Sequence, residues 1–315
     1  MEARKSYSFL RSTTQISGII ILFGISVLVA CQSDLGEKPS RDQVDAGAFG
    51  KAQEESYSIL LSKHVDQNNQ IKYELWKNSS EDFLALKQIL FAIEKADVNA
   101  MNSDEQKTFY INAYNVLTID LILSNYDKTL GGTGSPYPDQ RSIRNINNLD
   151  TKVWDAFRWK VSGKQMSLNE IEHQILRPMG DARIHFAIVC ASKGCPPILN
   201  RAFTAQDLDE TLDELAAKFV NSGKSTKFDL DKQKLITSHI LNWFAQDFVK
   251  TFGSVKNFFS KYVTVISPSL IPSLDISYDS YDWTLNEPAA PGSGTEDPPG
   301  SGTETPPGSG TEEEI

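Results

Sequence analysis

Apolar residues follow two different spacings along the chain. Spacings of three and four residues predict amphipathic helices over residues 57–65, 80–96, 103–124, 167–178, 207–220 and 240–252. Alternation of apolar and polar residues predicts hairpins over 154–166 and 227–238 and strands over 71–73, 262–266 and 276–285. Because helices and strands do not alternate regularly, we expect an α+β fold, with a mainly antiparallel sheet packed with several helices in a single domain.

One further run is apolar along most of its length. Residues 184–190 are β-prone, and a Gly-Cys-Pro-Pro turn follows at 194–197. A short apolar run bounded by turn residues predicts a buried strand. We therefore expect Cys190 to end this strand and Cys195 to lie in the loop that the strand delivers.

The N-terminal residues have the pattern of an export signal. Three basic residues lie within the first eleven, and an apolar run over 16–30 is shorter than the roughly 20 residues of a membrane span. Residues 28–31, Leu-Val-Ala-Cys, resemble the lipobox of bacterial lipoproteins. The resemblance implies a signal peptide over 1–30 and an acylated Cys31 that binds the lipid bilayer. A plain secretory signal or a membrane anchor with an incidental cysteine is the alternative.

Composition divides the remaining chain into three parts. A polar segment with glycine and proline over 31–52 predicts a flexible tether, residues 53–286 form the predicted domain, and an eight-residue Pro/Gly/Ser/Thr/Glu repeat predicts a disordered tail over 287–315. Gln32 follows the lipobox cysteine, which favours the outer membrane or cell surface over inner-membrane retention.

Charge bears on the choice of partners. The formal net charge is -10, and seven acidic residues lie in the tail, so residues 31–286 carry only about -5. A domain of this charge lacks the basic surface that nucleic acids require, and we expect no nucleic-acid partner.

Two asparagines interrupt the longest predicted helix, which opens on a capping-box pattern at Ser103 and Gln106. Asn112 and Asn115 are three residues apart and therefore neighbours, although asparagine is a poor residue for a helix interior. Either their amides bond the backbone of loops, or Asn112 or Asn115 orients a catalytic group or a ligand.

Glu172 lies on the apolar stripe of the helix that a second capping box opens at 167–170, and His173 lies on its flank. A buried carboxylate is paired or has a shifted pKa, because an unpartnered buried charge costs several kcal/mol. Glu172 therefore either forms an ion pair with an arginine or belongs to a site. The candidate arginines are Arg144, Arg177 and Arg183.

Apart from Cys31, the chain holds an even pair of cysteines, Cys190 and Cys195, in an oxidising compartment. One interpretation is a disulfide that closes the turn, although five residues of strand and turn do not guarantee the required Cα separation. Cysteine and histidine are zinc ligands, but the chain has neither C-x-x-C nor H-E-x-x-H, so no metal or other cofactor is predicted.

A second interpretation makes Cys195 a nucleophile, and a third leaves both thiols inert. A catalytic thiol needs a base within hydrogen-bond reach and a third group that orients the base. The candidate bases are His173 and His185, and the candidate orienting groups are Glu172 and Asn112.

Four segments have a specific order and length: FYINAYN at 109–115, SLNEIEHQILR at 167–177, HFAIVCASKGCPP at 185–197 and YDWTLN at 281–286. In these segments the chain resembles the domain-of-unknown-function 547 family. The resemblance implies one domain over about 57–286 and no established reaction. It places six polar residues within family motifs: Asn112, Asn115, Glu172, His173, His185 and Cys195.

These observations lead to two functional hypotheses for a lipid-anchored protein of the cell envelope. The first is a thiol-dependent hydrolase or acyl transferase that acts on amide bonds, with an envelope peptide or a peptidoglycan-like substrate. The second is a non-catalytic envelope binding module whose buried polar residues stabilise a groove.

Overall fold

The computed structural model describes residues 50–289, which belong to one compact unit. The predicted signal peptide with Cys31, nearly all of the predicted tether and the tail beyond residue 289 lie outside the described residues. Within the described part, helices dominate and two small sheets complete the fold. The predicted α+β class and single domain are confirmed.

The helices surround one long central helix. In chain order, the α-helices are α1 Lys51–His64, α2 Tyr73–Asn78, α3 Ser80–Lys95, α4 Ser103–Ser124, α5 Tyr126–Thr129, α6 Val153–Ala156, α7 Leu168–Glu170, α8 Leu208–Asn221, α9 Ile240–Trp243, α10 Ala245–Phe252 and α11 Val255–Tyr262. A π-helical segment covers Ile171–Leu176, and 3-10 turns cover Val98–Ala100, Ile143–Asn148, Asp150–Lys152, Arg177–Met179, Ala182–Phe186 and Pro268–Ser273.

Helix α4 forms the centre of the core. Every residue from Thr108 to Leu123 is buried, and α4 packs against α2, α3 and the π-helical segment. Its capping box is made by Asn102 and Glu105, one residue earlier than predicted, because asparagine accepts hydrogen bonds from the first turn as well as serine does. Among the helices of residues 50–289, none has both the length and the apolar character of a membrane span.

The strands form two separate small sheets. Strands β1 Trp159–Val161 and β2 Lys164–Met166 form an antiparallel hairpin, and β3 Thr226–Asp229, β4 Lys234–Ser238 and β5 Asp275–Asp279 form a sheet in that order. The β3–β4 pairing is antiparallel and the β4–β5 pairing is parallel. Ser162 and Gly163 turn the first hairpin with φ of 48° and 74°, as a two-residue hairpin turn requires.

Some predicted strands are wrong. Residues 71–73 contribute one bridge, at Ile71, before α2 begins, and residues 262–266 follow the end of α11 without strand pairing. The strand predicted over 276–285 is confined to β5, and the single helix predicted over 240–252 is divided into α9 and α10. Each of these segments is short and apolar, and periodicity discriminates poorly at that length.

The most consequential correction concerns residues 184–190, which are not a strand. The chain forms a 3-10 turn over Ala182–Phe186 and then runs irregularly through the core. Asn115 supplies what a neighbouring strand would have given: its Nδ2 donates to the Ala187 carbonyl at 2.9 Å, and its Oδ1 accepts from the Val189 N–H at 2.9 Å. An irregular apolar segment is stable in the core because a helix side chain satisfies its backbone.

Candidate functional site

The chain from Cys190 to Cys195 folds back on itself. The Cys190 N–H donates to the Cys195 sulfur at 3.0 Å, and both cysteines are free thiols. Ala191 has a φ of 59°, a left-handed conformation that is unfavourable for a residue with a Cβ and that clusters at functional sites. The turn places the two sulfurs side by side, with Cys190 buried and Cys195 partly exposed.

A C-terminal segment that returns to the loop completes the surroundings of Cys190. The Tyr281 and Ser192 hydroxyl oxygens each lie 3.2 Å from the Cys190 sulfur. Gly194 makes this approach possible, because its N–H donates to the Asp282 carbonyl at 2.9 Å and an added Cβ would lie 3.0 Å from the Tyr281 ring. Glycine is required at position 194 because a side chain would crowd the Tyr281 ring, and not because the backbone has a positive φ.

Hydrogen bonding sets the ionisation of the two thiols. Burial raises the pKa of Cys190, but hydrogen bonds with Cys195, Ser192 and Tyr281 outweigh it and lower that pKa to about 7. Burial and the neighbouring Cys190 raise the pKa of Cys195. The pair therefore loses its first proton near neutral pH and retains its second, which gives one negative charge shared by two adjacent sulfurs.

Glu172 is buried on the π-helical segment opposite the thiols. The Tyr114 hydroxyl donates to its Oε2 at 3.3 Å, and none of the candidate arginines pairs with it, since Arg177 binds Asp247 instead. Burial raises the pKa of Glu172 to about 8, with the Cys190 charge as the second cause. Glu172 is therefore a protonated acid at neutral pH, which resolves its burial without an ion pair. π-helical turns often occur at functional sites.

His185 is held rigidly in the core. Its Nε2 lies 2.9 Å from Asp247 Oδ2, its ring stacks on Phe244 with centroids 3.8 Å apart, and its Nδ1 lies 3.8 Å from Glu172 Oε1. Burial lowers the pKa of His185 although the Asp247 hydrogen bond opposes the shift. Burial of Asp247 is outweighed by hydrogen bonds from His185 and Arg177, which hold its pKa well below the usual range. An acid thus orients a neutral imidazole.

A small cavity lies between these groups. It has a volume of about 20 Å³, and its polar lining comprises Cys190, Cys195, Glu172, His185, Tyr114 and Tyr281. A cavity of that size holds about one water molecule, and the lining offers the two to four polar partners that a buried water needs. No hydrogen bond joins the Cys195 sulfur directly to His185, so a proton transfer between them requires a bridging water molecule or Glu172.

On its other side, Cys195 lines a surface groove of about 170 Å³. Among the described residues, Cys195 is the one that lines both the groove and the smaller cavity. A molecule in the groove meets Cys195 first, while Cys190 and His185 remain behind it. The arrangement therefore places a partly exposed cysteine between the groove and a set of buried titratable groups.

The structure brings Cys195, His185 and Glu172 together, but not the other two predicted site residues. His173 lies outside the cavity, with its Nδ1 2.6 Å from Arg177 Nη1. The Asn112 amide donates to the Phe203 carbonyl at 2.9 Å and accepts from the Phe203 N–H at 3.0 Å. Asn112 therefore bonds loop backbone, the first of the two interpretations, and does not orient an imidazole.

Sequence reasoning missed Asp247 as the residue that orients the imidazole. A signal was present, because Asp247 lies among the aromatic residues of α10, between Phe244 and Phe248, as Glu172 lies among the apolar residues of its own helix. Tyr114 and Tyr281 were also missed, and only the fold brings them to the cavity.

Comparisons with known proteins point to one family. Residues 98–220 match the family model described as protein of unknown function, DUF547. No curated protein and no solved structure matches the chain. Among residues 50–289, no group of three or more histidine, cysteine, aspartate or glutamate side chains is placed to hold a metal ion. The match supports the predicted resemblance: from before the central helix to the end of α8, the chain is similar to the DUF547 family.

Proposed function

We propose that this protein is a thiol-dependent hydrolase or acyl transferase that acts on amide bonds, anchored in the cell envelope through an acylated Cys31. One observation carries the catalytic part. Cys195 lines both a groove and a smaller cavity in which an acid-held imidazole, His185, lies beside the protonated Glu172. A nucleophile with the substrate groove on one side and titratable groups on the other is an arrangement that supports covalent catalysis.

The reaction proceeds in two steps. The Cys195 thiolate attacks the carbonyl carbon of the amide, the C–N bond breaks, and the leaving amine takes a proton from the Glu172–His185 pair. Water, or a second amine in a transferase, then attacks the thioester and breaks the C–S bond, and its proton returns to the same pair. A carboxyl group that is neutral at pH 7 is suited to give a proton first and accept one afterwards.

Alkylation with iodoacetamide tests this proposal. We expect the rate at Cys195, located by peptide mass mapping, to rise near pH 7 with the first ionisation of the thiol pair, because the charge that Cys190 gains there is shared with the adjacent Cys195 sulfur. The variant Cys190→Ser removes the group that ionises near pH 7, and burial alone then keeps the pKa of Cys195 raised, so the rate no longer rises near pH 7. An unshifted midpoint near the ordinary thiol value, or a resting Cys190–Cys195 disulfide, favours the non-catalytic binding module instead.

A second function is favoured by the contact between the two thiols. In thiol–disulfide exchange, the Cys195 thiolate attacks a substrate disulfide and releases one thiolate, and Cys190 then attacks the Cys195 sulfur and releases the other. The pair is oxidised by two electrons and the substrate disulfide is reduced. With a small aromatic disulfide as reagent, this function predicts a stable mixed disulfide at Cys195 in Cys190→Ser and an intramolecular disulfide in the native protein.

The anchoring part of the proposal is supported by the sequence of residues 28–31. In a bacterial host fed labelled palmitate, we expect label in the full chain and none in the Cys31→Ser variant. Equal labelling of the two chains contradicts the anchor and leaves the catalytic proposal intact.

A further inference from the structure

The groove beside Cys195 is basic although the chain is acidic. Lys193, Lys218 and Lys224 line it, and no aspartate or glutamate among residues 50–289 does. Many other lysines of the described part pair with a carboxylate, whereas none of these three forms a salt bridge there. With a formal net charge of -10, unpaired lysines gathered around one opening create a local positive field that attracts anions.

The floor of the groove adds a hydrogen-bond donor. Asn286 lines the groove and is only 6% exposed. Its Oδ1 accepts from the Tyr73 hydroxyl at 2.8 Å, while its Nδ2 has no hydrogen-bond partner within the described residues. Nδ2 is not one of the fully buried side-chain atoms that lack a partner, so it reaches the solvent of the groove and can donate to a ligand or to water there. The groove therefore offers donors from its rim and its floor.

We propose that this groove binds the carboxylate of a short peptide and so presents the neighbouring amide bond to Cys195. That the bond attacked is an amide rests on the proposed function. Lys218 and Lys224 hold the charge, and Asn286 donates to a carboxylate oxygen. The Lys193 charge is partly offset because Lys193 lies near Glu287. Burial raises the pKa of Glu287, and the Lys193 charge opposes that rise.

The size of the groove limits the ligand. Its volume of about 170 Å³ is below the roughly 300–1,000 Å³ of pockets that enclose whole drug-sized ligands. It accommodates one or two residues at the end of a peptide, while the rest of the substrate stays in solvent. The expected substrate class is a peptide with a free terminal carboxylate close to the bond that is cleaved or transferred.

Two alkylating reagents measure the charge preference at the sulfur. Iodoacetate and iodoacetamide share the reactive carbon and the leaving group, but only iodoacetate carries a carboxylate. The ratio of their rates at Cys195 does not depend on the thiolate fraction, so it separates groove charge from thiol pKa. We expect the ratio in the full folded chain to exceed the ratio in the unfolded chain several-fold.

Lysine variants assign the effect to residues. We expect Lys218→Gln and Lys224→Gln each to lower the ratio by about twofold to fourfold, because each removes one positive charge from the lining of the groove that the anion enters. Lys95→Gln, which removes an exposed lysine paired with Glu94 on α3, is the control and leaves the ratio unchanged. A ratio equal to that of the unfolded chain, or equal effects of all three variants, overturns the proposal.

Protection of Cys195 from iodoacetamide identifies the ligand class. We expect N-acetylglycylglycine to protect Cys195 at a concentration at least fivefold lower than its C-terminal amide requires. In the Asn286→Ala variant, we expect the difference between the acid and the amide to be smaller. Equal protection by acid and amide, or equal protection by inorganic phosphate and the peptide acid, refutes the peptide carboxylate. If the preference holds while the apparent pKa of Cys195 is ordinary, the proposed catalysis fails and the groove assignment stands.

Discussion

Two buried histidine–aspartate pairs in this protein have nearly the same local chemistry. His64 Nε2 lies 2.9 Å from Asp82 Oδ2, as His185 Nε2 lies 2.9 Å from Asp247 Oδ2. Each ring stacks on an aromatic side chain, and each aspartate also binds a cation, Lys63 in the first pair and Arg177 in the second. By residue type, distance and burial, the two pairs are equivalent.

The second ring nitrogen, Nδ1, distinguishes the two histidines. His64 Nδ1 is buried without a partner among the described residues, whereas His185 Nδ1 faces Glu172 and the cavity that holds both thiols. The first pair joins α1 to α3 and is structural. A histidine oriented by an acid becomes a candidate for catalysis only where its second nitrogen meets a space that a proton can use.

The largest difference between the surroundings of His64 and His185 is Glu172. We expect the variant Glu172→Gln to reveal its effect on the pH dependence of stability. A carboxyl group with a folded pKa of about 8 keeps its proton between about pH 4.5 and 8 while the unfolded chain has lost it. Stability therefore falls as pH rises through that window, by about 3 kcal/mol from pH 5 to 8. We expect urea unfolding of Glu172→Gln to lack this fall, while the exposed Glu214→Gln control retains it. A fall of equal size in Glu172→Gln contradicts the raised pKa.

The aspartates provide a matched pair of variants. We expect Asp247→Asn to lower the free energy of unfolding by about 2–4 kcal/mol, because Arg177 and the orientation of His185 both depend on its charge. Asp82→Asn should cost about half as much, since Lys63 is half exposed and remains solvated. Chemical denaturation measures both, and a larger loss for Asp82→Asn would reverse the proposed ranking.

The two asparagines of α4 separate general stability from the geometry of the site. Asn112→Ala and Asn115→Ala each remove two hydrogen bonds to buried backbone, and we expect each to lower the free energy of unfolding by about 2–3 kcal/mol. Only Asn115 holds residues 187–189, between His185 and Cys190. Iodoacetamide kinetics should therefore change in Asn115→Ala and remain native in Asn112→Ala, and identical kinetics in both contradict the assignment.

The smallest expected effect belongs to Tyr281→Phe. The Tyr281 hydroxyl is one of three groups that lower the pKa of Cys190, so its loss should move the midpoint of alkylation upward by up to about one pH unit, equivalent to about 1 kcal/mol. Tyr278→Phe, on β5, serves as the control. A midpoint that stays in place shows that the hydroxyl does not stabilise the thiolate.

The helices of this fold could be predicted because their apolar stripes are local. Residues 80–96, 103–124 and 207–220 agree with α3, α4 and α8 to within one or two residues. The run over 184–190 could not be predicted, because its backbone is satisfied by an asparagine on a distant helix and not by a neighbouring strand. The high apolar content of residues 184–190 indicates that they are buried, but it does not distinguish a strand from an irregular segment.

The site was predictable in part for the same reason. Glu172 could be identified because an acid on an apolar helical face is a local anomaly, and the same argument applies to Asp247. The choice between His173 and His185 depended on where the π-helical segment directs the first ring and the 3-10 turn the second, which spacing does not encode. The pairing of Cys190 with Tyr281 joins residues 91 positions apart and follows from the fold alone.

Histidine side-chain NMR tests the central claim most directly. Long-range ¹H–¹⁵N spectra of the imidazoles should be recorded before and after carbamidomethylation of Cys195. If Cys195 and His185 line one cavity, the His185 ring signals shift on modification while the His64 signals stay in place. Unchanged His185 signals, or equal shifts in His64, would show that the thiol and the acid-held imidazole do not share a site.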